Sequence, residues 1–350
     1  MRALIFKEQG PIDSIELADL PLPMPGKGQV RLKLTSAGLN RSDTLFPEGR
    51  YFFKPTFLPL GESDCTQPAS EQYAYSRLGF EGAGIIDAVG EGVSYRVGDR
   101  VAITPLALDV SRDGCFAEYG IYNANNLIAT PESVSDEDAA SIWMQYLTAW
   151  GGLVTDGGLT QGQTVVITAA SSSVGIAAIQ IANMRGATSI ATTTSDDKVS
   201  QLKKLGAQHV INMKNGDYVE RIKTITNGTG TDLVFDAVAG PDTRYLVQGS
   251  ARDSRIVIQG MLDRRPMDIH AGVLMKRRLT IKGFTLDIVL DNQEVLGDCV
   301  RKITQGINSQ QLTPIIAKKF DLDCYKEAFK LLKSNKHTGK ILITPQTNAL

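Results

Sequence analysis

The sequence predicts an α/β protein of two domains, a compact barrel-like one of short strands and a doubly wound parallel sheet. Two textures in the chain carry that prediction. Over the first ~130 residues, short alternating apolar segments are punctuated by Gly, Pro and Asp, which suits closely spaced strands. From about Ala139 onward, apolar strands alternate with helical stretches, the pattern of parallel βαβ units. The length agrees, because 350 residues fit about two domains of ~100–200 residues.

In the first texture, residues 28–38 alternate through Val30, Leu32 and Leu34, and residues 84–89 and 100–103 read alike. Pro23-Met24-Pro25-Gly26, Gly90-Glu91-Gly92 and Gly98-Asp99 supply the turns. Residues 60–78 are polar and turn-rich without a clear period, and read as a surface excursion, a lid over a cleft. In the second texture, a strand at 164–168 runs through a turn of small residues into a helix at 174–184. There follow a strand at 189–193, a helix at 196–205, a strand at 209–211 and a helix at 216–226. Strands at 232–235, 256–259 and 279–282 complete the series. After Phe284 come a helix at 294–304, a strand at 315–317, a helix at 325–332 and a last strand at 340–343. That tail is too short for a third domain and is expected to return to the first.

Composition excludes several chemistries. The formal charge is -1 and gives no electrostatic reason to expect a nucleic acid or an anionic membrane as partner. There are three His (His209, His270, His337) and four Cys, none of the Cys at the spacing of a structural zinc site. The three His share no motif with a carboxylate or Cys and read as structural or solvated. Scattered Cys point to a reducing compartment. The apolar stretch after Arg2 stops at Lys7, so no signal peptide is evident, and no run approaches the ~20 apolar residues of a membrane span. A cytoplasmic protein is expected.

The segment from Thr164 to Gly175 carries most of the functional argument. Only Gly175 stands in a position of the G-x-G-x-x-G fingerprint, yet the context is an apolar strand, a turn no bulkier than Ser, and a helix. Small residues let backbone N–H groups approach a pyrophosphate, so Ser171, Ser172, Ser173, Val174 and Gly175 are candidate nucleotide contacts. The plainer alternative is a βα turn with a Ser N-cap. At the end of the next strand, NAD sites place Asp or Glu about 20 residues on. Here the run Thr193-Thr194-Ser195-Asp196-Asp197-Lys198 offers hydroxyls and an ammonium that suit a 2′-phosphate, so NADP is favoured. Asp196 and Asp197 oppose that reading unless they serve the helix N-terminus.

Further motifs stand in order: Gly38-Leu39-Asn40-Arg41-Ser42-Asp43, Gly79-Phe80-Glu81-Gly82-Ala83-Gly84, Val97-Gly98-Asp99-Arg100-Val101, Gln145-Tyr146-Leu147-Thr148-Ala149 and Leu205-Gly206-Ala207. With them the chain resembles, end to end, a zinc-less medium-chain dehydrogenase/reductase of the quinone oxidoreductase (zeta-crystallin-like) and enoyl reductase branch. The resemblance implies a GroES-like catalytic domain at 1–128 and 284–350, a Rossmann domain inserted at 129–283, and a cleft between them. Where zinc-dependent relatives hold the metal, this chain has Asn40, Phe80 and Met144, so no metal is expected. Asn40 and Tyr51 resemble the Asn and Tyr that line the nicotinamide cleft, and Thr148 the Thr that touches the ring. Asn40 is expected to bond the carboxamide or a nearby water. Tyr51 either supplies a proton or only shapes the pocket. Lys340 resembles a C-terminal Lys that reaches the phosphate, which supports NADP, whereas Met213 replaces a Tyr common near it. Gln259, Gly260, Phe284 and Thr285 resemble the segments flanking the ribose and nicotinamide. Family members often pair the sixth strand across a dimer axis, which makes Thr280-Ile281-Lys282 an expected interface strand of a homodimer.

The function so implied is NADPH-dependent, metal-independent delivery of hydride to an electrophilic small molecule, a quinone or an α,β-unsaturated carbonyl. A zinc-less alcohol or aldehyde oxidoreductase and a non-catalytic NADPH-binding protein are the alternatives.

Overall fold

The computed structural model describes residues 1–57 and 74–345. Most of the expected excursion at 60–78 lies outside the described residues. The chain opens with β1 (Arg2–Phe6) and β2 (Glu16–Asp19), followed by the long β3 (Gln29–Leu39), short helix α1 (Arg41–Leu45) and β4 (Ser76–Arg77). Next come β5 (Gly82–Val89), β6 (Arg100–Ile103), α2 (Val110–Asp113), β7 (Tyr119–Asn123) and β8 (Leu127–Ala129). β3 shows why the alternation was readable: Val30, Leu32 and Leu34 are fully buried while Lys33 between them is exposed. From Ser36 onward β3 is buried on both faces, so its far end enters the interior.

Helix α3 (Trp143–Trp150) runs into a π-helical turn at Gly151–Thr155. Then strands and helices alternate: β9 (Thr164–Ile167), α4 (Ser173–Met184), β10 (Thr188–Thr193), α5 (Asp197–Lys204), β11 (His209–Asn212) and α6 (Tyr218–Ile225). The series continues with β12 (Thr231–Asp236), α7 (Thr243–Gly249), β13 (Ser250–Ile258), α8 (Ala271–Arg277) and β14 (Thr280–Gly283). All pairings are parallel and the order is β11-β10-β9-β12-β13-β14. Strand order reverses between β9 and β12, where such sheets open a crevice at their carboxyl ends. One face packs Val166, Ile190, Val234 and Ile256 against Tyr218, Ile222, Leu246 and Val247. The sequence reading passed over α7 and α8. Each has only seven residues; α8 buries none of them, and the buried face of α7 is one turn long, through Leu246 and Val247.

Two helices follow, α9 (Asp287–Leu290) and α10 (Gln293–Asn308), then β15 (Ile316–Asp321), α11 (Tyr325–Ser334) and β16 (Lys340–Thr344). β16 lies antiparallel on β3, with Leu342 opposite Gly38, and parallel to β15. A seven-stranded sheet results, ordered β15-β16-β3-β5-β6-β8 with β7 also on β3, beside a three-stranded sheet β2-β1-β4. The chain forms two compact units, one up to Met144 and again from Pro314, the other Gln145–Thr313. Both junctions lie further along the chain than the expected 128 and 284, and α10 belongs to the inserted unit.

Candidate functional site

In the inserted unit, the turn after β9 is sewn to both neighbouring strands: Thr168 N donates to Phe235 O (3.1 Å) and Ala170 N to Thr192 O (3.2 Å). Ala169 sits in the left-handed region at φ 46°. Ser172 is the N-cap of α4, its Oγ accepting from Gly175 N at 3.1 Å. A Cβ on Gly175 would stand 2.6 Å from Ala170 Cα and 2.7 Å from Ala170 O, so only glycine lets the helix start this close to the turn. Ser171, Ser172, Ser173 and Val174 are each half-buried, leaving the cradle open to a ligand. The cradle fits a dinucleotide pyrophosphate, the group this fold implies.

The same unit holds the other expected contacts. Lys198 Nζ donates to Ser171 Oγ at 2.9 Å, and partial burial lowers its pKa. Thr193 Oγ1 accepts from Ser195 N at 3.2 Å, which shapes the turn, and Thr194 is exposed. Asp196 Oδ1 accepts from Asn212 Nδ2 at 2.7 Å. Beyond β12, Asp236 accepts from Thr168 Oγ1 (2.6 Å), Val238 N (2.9 Å) and Ala239 N (3.1 Å), and Thr168 Oγ1 accepts from Ala237 N (2.8 Å). This cross-link fixes the two turns at the strand-order reversal and was not foreseen. Its partners lie 68 residues apart in the chain. Gln259 N donates to Asp236 O at 2.8 Å, and Gln259 and Gly260 are half-buried. Phe284 is buried against Gly151 and its N–H donates to Ile258 O at 2.8 Å, so only its carbonyl remains for a ligand. Thr285 is exposed and donates to Asp287 Oδ1. Thr148 falls in the second half of α3 and is half-buried.

In the other unit, β3 ends at Asn40, the N-cap of α1, whose backbone N–H donates to Asp43 Oδ2 at 2.7 Å. The Asn40 side chain is held at both ends: Nδ2 donates to Gly38 O (3.1 Å) and Glu81 Oε1 (2.9 Å), and Oδ1 accepts from Lys340 Nζ (2.7 Å). Lys340 Nζ also pairs with Glu81 Oε1, while Glu81 Oε2 accepts from Met144 N at 3.3 Å. A Cβ on Gly38 would lie 2.3 Å from Glu81 Oε1 and 2.6 Å from Lys340 Cε, so the pair depends on that glycine. One expectation needs correction. Lys340 is 1% exposed and held by Glu81 and Asn40, so it is not presented to a phosphate. Asn40 has both amide hydrogens committed, so it can meet a carboxamide N–H or a water only as an acceptor, through Oδ1.

Beside this pair lies Asp43, fully buried, with Oδ1 unpartnered. Burial pushes its carboxyl up to about 8, against the opposing pull of the Asn40 N–H and Lys340. Tyr51 packs edge-on to Phe80 and Phe53, both with centroids 5.1 Å away, and burial raises its phenol to about 12. Phe80 is fully buried against Phe46. A zinc ion does not fit here: the Asn40 oxygen faces an ammonium, Phe80 has no donor atom, and Met144 offers a thioether. Glu81, Asp43 and Lys340 form a unit the sequence reading did not assemble. Its one signal was a Lys in the apolar strand 340–343, since a buried ammonium requires a carboxylate.

A GroES-like domain carrying this cluster and a Rossmann sheet carrying an open phosphate cradle define a nicotinamide-dependent oxidoreductase. Sequence models described as the alcohol dehydrogenase GroES-like domain and as zinc-binding dehydrogenase match residues 26–132 and 173–296. The chain is 28% identical to human synaptic vesicle membrane protein VAT-1 homolog, over 99% of this chain and 86% of that protein. It is 27% identical to pig quinone oxidoreductase, over 97% and 96%. Among solved structures, it is similar to an NAD-dependent alcohol dehydrogenase (TM-score 0.84, 29% identity, 99% and 100% covered). It is equally similar to Escherichia coli quinone oxidoreductase complexed with NADPH (TM-score 0.84, 25% identity, 99% and 100% covered). The CurK enoyl reductase follows at a TM-score of 0.80 and 28% identity, with 98% of each chain covered. The chain belongs to the medium-chain dehydrogenase/reductase superfamily, in its zinc-less quinone oxidoreductase and enoyl reductase branch, and is an NAD(P)H-type oxidoreductase.

Proposed function

We propose that the chain uses NADPH to reduce an acceptor that is already electrophilic, a quinone or an α,β-unsaturated carbonyl, without a metal. The observation that carries this reading is the donor set: Asn40, Phe80 and Met144 stand where a Lewis acid would be held, and the cluster contains no imidazole. An unactivated alcohol would need such a group to lower its barrier. Bound NADPH supplies the hydride. The cradle at Ser171–Gly175 binds the pyrophosphate through backbone N–H groups, and Lys198 with Thr193, Thr194 and Ser195 meets a 2′-phosphate. Gln259, Gly260 and Thr285 line the sugar and nicotinamide. Asn40, locked by Glu81 and Lys340, accepts through Oδ1 from a water or from the N–H of the carboxamide. Tyr51 keeps its proton across the ordinary pH range, so it donates a hydrogen bond to the acceptor carbonyl and can release the proton as charge develops there.

The test is oxidation of NADPH and NADH over a panel of quinones, alkenals and enoyl thioesters, run beside simple alcohols with NADP+ and NAD+. Turnover confined to alcohols would replace this reading with the alcohol oxidoreductase one, and tight NADPH binding without turnover would leave a binding protein. The same reading includes a homodimer. Residues 261–283 contain no buried side chain, expose Met261, Leu262, Met267 and Met275, and end in β14, paired on one side to β13. A second copy covers this edge.

A further inference from the structure

The N-terminus of α5, just after β10, carries a carboxylate and an ammonium two residues apart, Asp196 at the N-cap and Lys198 in the first turn, and the two engage opposite neighbours. Lys198 Nζ donates to Ser171 Oγ in the turn after β9, at 2.9 Å. Asp196 Oδ1 accepts from Asn212 Nδ2 at the end of β11, at 2.7 Å. Because the sheet runs β11-β10-β9, these contacts lie on opposite sides of β10. Asn212 is well placed to hold a carboxylate. It is 8% exposed, opposite Thr193 in register, and its Oδ1 accepts from Lys214 N at 3.1 Å, which fixes the amide with Nδ2 toward Asp196. A carboxylate at the end of the second strand bonds a ribose 2′-hydroxyl and repels a 2′-phosphate. The run Ser195-Asp196-Asp197 therefore carries a residue able to choose either cofactor, and the neighbouring strand decides which side of β10 it serves.

We infer that Asn212 is a positioning residue for cofactor selectivity: by holding Asp196 on the β11 side it leaves the β9 side, with Lys198 and Ser171, to a 2′-phosphate. The inference rests on the NADPH reading above. It assigns the choice of cofactor to a residue that need not touch the nucleotide.

Calorimetric titration of the full chain with NADP+ and NAD+ tests it, with adenosine 2′,5′-bisphosphate against 5′-AMP to isolate the 2′-phosphate. Asn212→Ala is expected to lower the preference for NADP+ over NAD+ about fivefold, chiefly by weakening NADP+. The same loss is expected between the two adenosine nucleotides. In an Asp196→Asn background, Asn212→Ala is expected to change the preference no further, since the carboxylate it releases is gone. Asn212→Asp keeps an oxygen for Lys214 N and repels Asp196, so it is expected to act in the same direction should the Ala variant fold poorly. Equal weakening of both nucleotides by Asn212→Ala, or an undiminished effect in the Asp196→Asn background, would overturn the inference. A wild-type chain that binds NAD+ more tightly than NADP+ overturns the NADPH reading and this inference together. A wild-type chain that prefers NADP+, with the preference unchanged in both Asn212 variants, overturns this inference alone.

Discussion

At the residue scale, the buried cluster of Asp43, Glu81 and Lys340 makes the clearest demands. Lys340 and Glu81 are 1% and 2% exposed, and each neutralises the other where no water can. Removing one partner strands a buried charge, which costs roughly 3–5 kcal/mol. Lys340→Met is therefore expected to lower stability by about that amount in urea unfolding, with part of the loss recovered in Lys340→Met/Glu81→Gln. Asp43 adds a pH dependence of known sign. Its folded pKa of about 8 lies above its unfolded value, so the folded state holds the extra proton between the two. This contribution to stability is full below about pH 4, declines as pH rises toward 8, and is lost above it. Asp43→Asn is expected to flatten the fall in unfolding free energy between pH 5 and 8; an unchanged slope would assign that fall elsewhere. Tyr51 and Asn40 were readable in the sequence as candidates. The partner that immobilises Asn40 was not, because Lys340 lies 300 positions away and a buried Lys reads like a surface one.

At the element scale, the β9–α4 turn was legible because its physics is local: an apolar strand, small residues and a glycine at the helix start. Gly175 shows how far that reading reached, since the Cβ it lacks would stand 2.6 Å from the Ala170 backbone. Gly175→Ala forces the helix and turn apart. Such overpacking costs about 1–3 kcal/mol, and here it displaces the N–H groups proposed to meet a phosphate. Thermal unfolding should fall accordingly, and NADP+ should bind at least tenfold more weakly by titration. The cross-link between Thr168 and Asp236 escaped the sequence reading for the opposite reason. It joins strands adjacent only in the folded sheet, and Asp236 looks like any strand-ending turn residue. α7 and α8 were missed because seven residues give less than two full turns of periodicity.

At the scale of the whole molecule, two textures along the chain pointed to the fold class, and the return of the tail onto β3 followed from its lack of a core of its own. What a single chain's sequence does not encode is the fate of its exposed edge. The run 261–283 places Met275, 76% exposed, on α8 and Met261, 59% exposed, before it, with β14 at the sheet edge. Arg265 and Asp263 there already pair within the chain, at 2.6 Å, which leaves the exposed methionines as the feature a second copy would cover about a two-fold axis. An open strand edge flanked by exposed methionines invites association unless a partner covers it. Met275→Glu adds a charge where the side chain has no packing to lose, so the fold should be unaffected. In a homodimer the substituted carboxylates enter an apolar interface on both copies, and the dimer should dissociate at least tenfold more readily in sedimentation equilibrium. A wild-type chain that sediments as a monomer at tens of micromolar would remove the dimer from the reading, and with it the reason for this edge to stay apolar.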